Sequence, residues 1–317
     1  CTRVFSDRLN DVKDKEWFDN KIMEIMKKFF GDELAKQNKS PTYFVNFLRD
    51  PIFDEETDEM IEEAPKIYEP IESIAAIKPR IEQRMREMNP PLDLVLFDAA
   101  VKNLIRISRI ISMPRGNALL VGVGGSGKQS LTRLASFINR YETRQIVLHK
   151  TYNANNLFDD LRELYKLTGA QGKDVTFIFT DNEIKSETFL EYINSILSSG
   201  EVANLFPKED LDTIINDLRD VAKKEFPDTL GKDGSWDNMY RFFINRVRDK
   251  LHIVLCFSPV GEKFRTRALK FPGLISGCTV NWFFPWPEDA LVSVANKFLG
   301  ELEIQCDAQT KESLIKH

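Results

Sequence analysis

The sequence predicts an α/β fold of three layers, a parallel β-sheet held between helices, with a helical segment ahead of it. Two observations carry that prediction. A short apolar run, Asn117-Ala118-Leu119-Leu120-Val121, leads through a glycine-rich loop into helical periodicity at Leu131, Leu134, Ala135 and Ile138. Beyond it, apolar strand-like runs alternate with helix-length stretches, the pattern of parallel strands joined by crossover helices.

Residues 1 to about 50 read as helical, with Trp17, Phe18, Ile22, Ile25, Met26, Phe29 and Phe30 forming an apolar stripe that ends near Gly31. A turn-rich acidic stretch follows, from Pro51 through Asp54, Glu55, Glu56, Asp58 and Glu59 to Pro65 and Pro70, and reads as a solvated connecting loop. Helical patterning resumes, breaks at Asn89-Pro90-Pro91, and runs on through Leu94, Phe97, Leu104 and Ile111 to Pro114. After the glycine loop come a strand at Gln145-Ile146-Val147-Leu148, a helix over 155–167 and a buried strand from Val175 to Thr180. A helix near 187–198, an insertion over roughly 201–250 and a strand from His252 to Phe257 complete the alternation. Ligands of such sheets bind at the carboxyl ends of the strands.

Composition narrows the partners. At 317 residues the chain has room for about two ordinary domains. Its 42% hydrophobic and 29% charged residues are the mix of a soluble folded protein. No apolar stretch approaches the roughly 18 residues of a membrane span and no charged leader precedes one, so no membrane partner is expected. A net charge of -5 argues against nucleic acid. The four cysteines, at 1, 256, 278 and 306, match no zinc spacing and imply reduced thiols in an intracellular protein. A chain that begins with Cys1 is expected to be a piece of something longer.

Residues 122 to 130 read Gly-Val-Gly-Gly-Ser-Gly-Lys-Gln-Ser, a Walker A phosphate loop with one departure. Gly122, Gly124, Gly125 and Gly127 allow several N–H groups to face one anion, with Val123 and Ser126 between them, and Lys128 adds a point charge. Where a Ser or Thr hydroxyl should meet Mg²⁺ stands Gln129; Ser130 reaches the metal only if the loop shifts by one residue. The loop opens a helix whose N-terminus favours phosphate. The strand Phe177-Ile178-Phe179-Thr180 ends in Asp181-Asn182-Glu183, a Walker B element in which Asp181 is the candidate Mg²⁺ ligand and Asp181 and Glu183 the candidate catalytic acids. A cap for the following helix is the other role open to Asp181. Ser258, at the end of the next strand, is placed to sense the outer phosphate, or is an ordinary turn residue before Pro259.

With these motifs the chain resembles the motor domain of dynein heavy chains, and within it the fourth AAA+ module of the axonemal type. The resemblance covers nearly the whole chain and rests on Gly122 to Ala135, on Phe189-Leu190-Glu191 with Gly200-Glu201-Val202-Ala203-Asn204-Leu205-Phe206, and on Ala268-Leu269-Lys270-Phe271-Pro272-Gly273-Leu274. Cys1 to Leu9, Pro65 to Pro70 and Leu94 to Asp98 resemble the end of the preceding module and the lead into this one. The resemblance implies three parts: 1–88, a helical segment closing the preceding lid and connecting onward; 89–284, the large AAA+ domain; and 285–317, the start of a helical lid. Only about 30 residues follow Trp286, too few for a whole lid.

The resemblance also shifts the acidic register. Aligned on Phe189-Leu190-Glu191, Thr180 stands where the Mg²⁺-binding Asp would be and Asp181 where the catalytic Glu would be. The shorter Asp would displace a held water by more than about an ångström, roughly a hundredfold in rate. Gly277 stands at the arginine-finger position, and a lost finger is worth about 10³ to 10⁵ in turnover. Arg265 and Arg267, in the loop before it, are candidates to substitute for that charge, but as loop arginines they read as solvated.

What is implied is a module that binds ATP or ADP, with Mg²⁺ possible, and is regulatory or structural with little hydrolysis. The alternative is a working ATPase that gates the motor cycle. A P-loop kinase outside the dyneins would need a second-substrate pocket and a cluster of lid arginines, and the sequence offers neither. The implied parent is an ATP-driven, minus-end-directed microtubule motor of the cytoskeleton in the axoneme of cilia and flagella. Its implied partners are the neighbouring AAA+ modules, other dynein chains, and microtubules through parts outside these residues.

Overall fold

The computed structural model describes residues 5–6, 9, 11–37, 43–54, 60–62, 64–228, 230, 234–301, 310 and 313. Helix α1 (Val12–Gln37) is broken at Gly31, whose φ of 83° no ordinary side chain adopts cheaply. Four short strands follow: β1 (Tyr43–Val45), β2 (Ile52–Phe53), β3 (Met60–Glu62) and β4 (Glu69–Ile71). They form two antiparallel pairs, β1 with β4 and β2 with β3. The sequence predicts helix and then loop here. Tyr43, Val45 and Phe47 instead alternate into the core, a period-two signal too short to stand out beside the acidic run. Glu55, Glu56, Asp58 and Glu59 of that run lie outside the described residues.

Helix α2 (Ile74–Glu87) opens on Ser73, whose hydroxyl accepts from Ala76 N–H at 3.1 Å, and buries Ile77, Ile81 and Met85. Helix α3 (Asp98–Ile111) follows. The remaining elements are β5 (Ala118–Val121), α4 (Lys128–Ile138), β6 (Glu142–Gln145), α5 (Ala154–Tyr165), β7 (Val175–Thr180) and α6 (Glu187–Ser199), then α7 (Lys208–Glu225), α8 (Trp236–Lys250), β8 (Leu251–Phe257), α9 (Glu262–Lys270), α10 (Gly273–Ser276), β9 (Thr279–Trp282) and α11 (Glu288–Glu301). The stretch read as an insertion is thus largely the helices α7 and α8.

Five strands make one parallel sheet in the order β6-β7-β8-β5-β9, as the alternating pattern predicts. The central three are fully buried, which is why they read as unbroken apolar runs. The edge strands are where sequence and structure part. Strand β6 begins three residues earlier than predicted, on Glu142-Thr143-Arg144-Gln145, and β9 gave no signal at all. An edge strand is held by backbone pairing on one side and needs no apolar run.

The sheet buries a layer on each face. Leu119, Val121, Phe177, Phe179, Ile253 and Leu255 face a core with α5, α6, α7 and α8. Ala118, Leu120, Ile178, Val254 and Cys256 face a second core, built with α2, α3 and α4. That second core also takes in Tyr43, Val45 and Phe47, so it runs unbroken across residues 88 and 89. Asn117 locks the lower end of the sheet. Its side-chain oxygen accepts from Ile253 N–H at 2.8 Å, its side-chain nitrogen donates to Gly277 C=O at 3.5 Å, and its own carbonyl accepts from Thr279 N–H at 2.8 Å.

Candidate nucleotide site

Register places the strand ends together. Val121 pairs with Phe257 and Thr180 with Cys256, so Gly122, Ser258 and Asp181 leave the sheet at one level. Above them lies an open cavity of about 730 Å³ lined by Gly124 to Ser130, Arg133, Thr180, Asp181, Asn182, Cys256 and Ser258, with Leu94 and Trp286 on its rim.

Two of the four loop glycines take the unusual backbone angles expected of them. Gly125 and Gly127 take positive φ values of 75° and 85°, and Gly127 is the residue from which α4 starts. A Cβ on Gly122 would lie 2.5 Å from the Cβ of Phe283, whereas one on Gly124 would meet nothing within 4 Å, on the side open to a ligand. Lys128 is buried and donates to Gly122 C=O at 2.6 Å, Val123 C=O at 2.7 Å and Ser126 Oγ at 3.1 Å. Burial lowers its pKa below the ordinary lysine value, against the opposing pull of Cys256 and Asp181. The Cys256 thiol is pushed up to about 12 by its own burial, so it faces the ammonium as a neutral group.

The acidic end of β7 is organised inward. Glu183 is buried; its carboxylate accepts from Thr180 N–H and, at 2.7 Å, from Gln145 Nε2–H, while Glu183 N–H donates back to the Thr180 hydroxyl. Burial raises the Glu183 pKa, opposed by those hydrogen bonds and by Arg133. Gln145 also donates to Gln129 Oε1 at 3.2 Å and accepts from Arg133. Gln129, which stands where the P-loop hydroxyl is expected, is therefore tied through Gln145 to Glu183. Asp181 divides its two oxygens, Oδ2 accepting from Ser258 N–H at 2.6 Å and Oδ1 from Arg267 Nη1 at 3.2 Å. Ser258 Oγ accepts from Val260 N–H at 3.4 Å, in its own turn.

The two arginines read as solvated differ. Arg265 is exposed, but Arg267 lies on α9 with its side chain 14% exposed, paired with Asp181 and with Glu187 at 3.3 Å. The expectation of a solvated loop arginine fails there, because the acid that pairs with it is 86 residues away in sequence. Gly277 has no room for a side chain: a Cβ would sit 2.7 Å from Gly273 C=O and 3.0 Å from Leu197 Cβ.

The cradle fits a phosphate chain: two positive-φ glycines, Lys128 and the first residues of α4 line the cavity. It does not fit Mg²⁺ well. That ion wants near-octahedral oxygens, including a carboxylate or two. Here Asp181, Glu183, Thr180 and Gln129 are each engaged by protein donors, and Ser130 is left as the free hydroxyl at the loop. Among the described residues no group of three or more His, Cys, Asp or Glu could hold a metal.

Sequence reasoning missed Gln145, Arg133, Arg267, Leu94 and Trp286. Arg133 follows the phosphate loop on α4 itself, whereas Gln145, Arg267, Leu94 and Trp286 come from other parts of the chain and are brought in by folding.

A family model described as P-loop containing dynein motor region D4 matches residues 92–317. The chain is 51% identical over 327 residues to dynein axonemal heavy chain 5 of Mus musculus, covering 100% of this chain and 7% of that protein. It is 49% identical over 324 residues to dynein axonemal heavy chain 8 of Homo sapiens, again 100% and 7%. To the dynein gamma chain, flagellar outer arm, of Chlamydomonas reinhardtii it is 46% identical over 320 residues, 99% and 7%. The chain thus spans less than a tenth of the length of these relatives.

Proposed function

The chain belongs to the axonemal dynein heavy chains, in motor region D4, and we propose that it is a nucleotide-binding AAA+ module that serves its motor structurally and by regulation, with little or no hydrolysis. One observation carries this reading: both acids at the end of β7 already accept from protein donors, Glu183 from Thr180 and Gln145 and Asp181 from Ser258 and Arg267, so a water would have to share each carboxylate with them. A general base needs hydrogen-bond reach to its proton, and here protein donors compete with a water for these carboxylates.

Binding stands apart from these losses. Lys128 and the N–H groups of the loop would hold the phosphates of ATP or ADP, and the apolar rim of Leu94 and Trp286 would hold the base. A bound nucleotide would then cement this module against its neighbours in the ring. The parent would be an ATP-driven, minus-end-directed motor on axonemal microtubules of cilia and flagella, working with other dynein chains.

The test is single-turnover hydrolysis by the heavy chain with its other nucleotide sites disabled, with Lys128→Ala as the blank. Bound ATP should persist intact. Lys128-dependent product at ordinary enzyme rates, about 1 s⁻¹ or faster, would overturn the reading in favour of an active ATPase that gates the cycle.

A further inference from the structure

We infer that this site takes its nucleotide without a divalent cation, the Arg267 guanidinium standing as the built-in counter-charge of Asp181. The inference rests on the nucleotide-binding reading and extends it. A phosphate chain placed beside an uncancelled carboxylate is repelled, and in most P-loop sites Mg²⁺ cancels both. Here the cancellation is covalent to the chain. Arg267 Nη1 lies 3.2 Å from Asp181 Oδ1, and its Nε lies 3.3 Å from Glu187 Oε1. Held between two acids and 14% exposed, the planar guanidinium has its orientation fixed.

The other Asp181 oxygen accepts from Ser258 N–H at 2.6 Å, so a metal would have to share the carboxylate with a backbone donor and an ion pair. The second acid is no substitute, because Glu183 is buried and faces Thr180 and Gln145. Gln129 brings no hydroxyl, and its carboxamide oxygen already accepts from Gln145. Of the charged residues that line the cavity, Lys128 and Arg133 are positive, and the one acid, Asp181, is paired with Arg267. The arrangement is thus already suited to an anion.

The experiment is titration of mant-ADP into the intact heavy chain in Mg²⁺ and in EDTA, counting only the signal lost in the Lys128→Ala chain. Wild type should bind with affinities within about threefold of each other in the two buffers, well short of the tenfold that 1.4 kcal/mol would give. Arg267→Ala exposes Asp181, so its affinity in EDTA should fall about tenfold or more and recover in Mg²⁺. Arg267→Lys should recover part of the EDTA affinity, and Asp181→Asn should bind equally in both buffers. A wild-type affinity that drops tenfold or more in EDTA, or an Arg267→Ala chain that answers to Mg²⁺ no more than wild type, overturns the inference and leaves nucleotide binding standing. Absence of Lys128-dependent binding in both buffers overturns the two together.

Discussion

The Gln145 carboxamide donates to the Glu183 carboxylate at 2.7 Å, joining the tip of edge strand β6 to the end of β7. Because the same nitrogen reaches Gln129 at 3.2 Å, one side chain ties the phosphate loop to the buried acid. Truncating it strands an acceptor in the interior. Gln145→Ala should therefore lose about 1–3 kcal/mol of stability, the cost of a buried group left unpaired, read as a lowered urea midpoint at neutral pH.

Glu183 gives a pH signature of its own. Its folded pKa is raised above the unfolded value of 4.5 by burial, so between the two values the native state holds the proton and the unfolded chain does not. Its contribution is favourable below pH 4.5 and is lost as pH rises through the folded pKa. Glu183→Gln should remove that slope, so that the stability difference between variant and wild type grows in the variant's favour from pH 4.5 upward. Urea titrations across that range check it.

His252 acts in the opposite sense. It is buried, stacked on Tyr141 at 5.2 Å, and donates from Nδ1 to Gly116 C=O at 3.0 Å, with Nε2 enclosed and unpartnered. Burial lowers its pKa below 6.5, against the opposing pull of the Gly116 hydrogen bond and then of Asp174 and Asp249. Below pH 6.5 the unfolded chain gains a proton that the folded one refuses, so stability falls on acidification. His252→Phe keeps the stack and gives up one hydrogen bond, about 1 kcal/mol at neutral pH. The loss of stability that His252 causes below pH 6.5 should then be absent, so the variant gains on wild type as pH falls, as thermal melts would report.

Restoring the missing arginine by Gly277→Arg should fail for a reason visible in the backbone. The added Cβ would lie 2.7 Å from Gly273 C=O and 3.0 Å from Leu197 Cβ, both on packed elements that cannot give way. Overpacking of this kind costs about 1–3 kcal/mol. The expected outcome is a destabilised chain with no gain in turnover, measured by denaturation and by phosphate release.

The phosphate loop and the three central strands were legible because their signals are local: glycine spacing, and apolar runs buried on both sheet faces. The edge strands β6 and β9 and the small β1–β4 pair were not, since their residues answer to pairing partners that spacing does not reveal. The same division holds at the site. Gly122 to Ser130 and Asp181 announce themselves by order in the chain, while Gln145, Arg267 and the Leu94–Trp286 rim come from separate elements and meet the loop through folding alone. Glu183 shows the limit within a motif, since its position in sequence suggests chemistry and its burial turns it into a brace.

Asn117 binds three strands at one end of the sheet, and at the other end Phe283 N–H donates to Val121 C=O at 2.8 Å while Phe283 crowds Gly122. Strands β5, β8 and β9 are therefore pinned at both ends, and their amides should open to solvent together or not at all. A tug on the segment that leaves β9 would be felt as tension at the first glycine of the phosphate loop, so grip on a nucleotide and strain carried along the chain become two sides of one mechanical coupling.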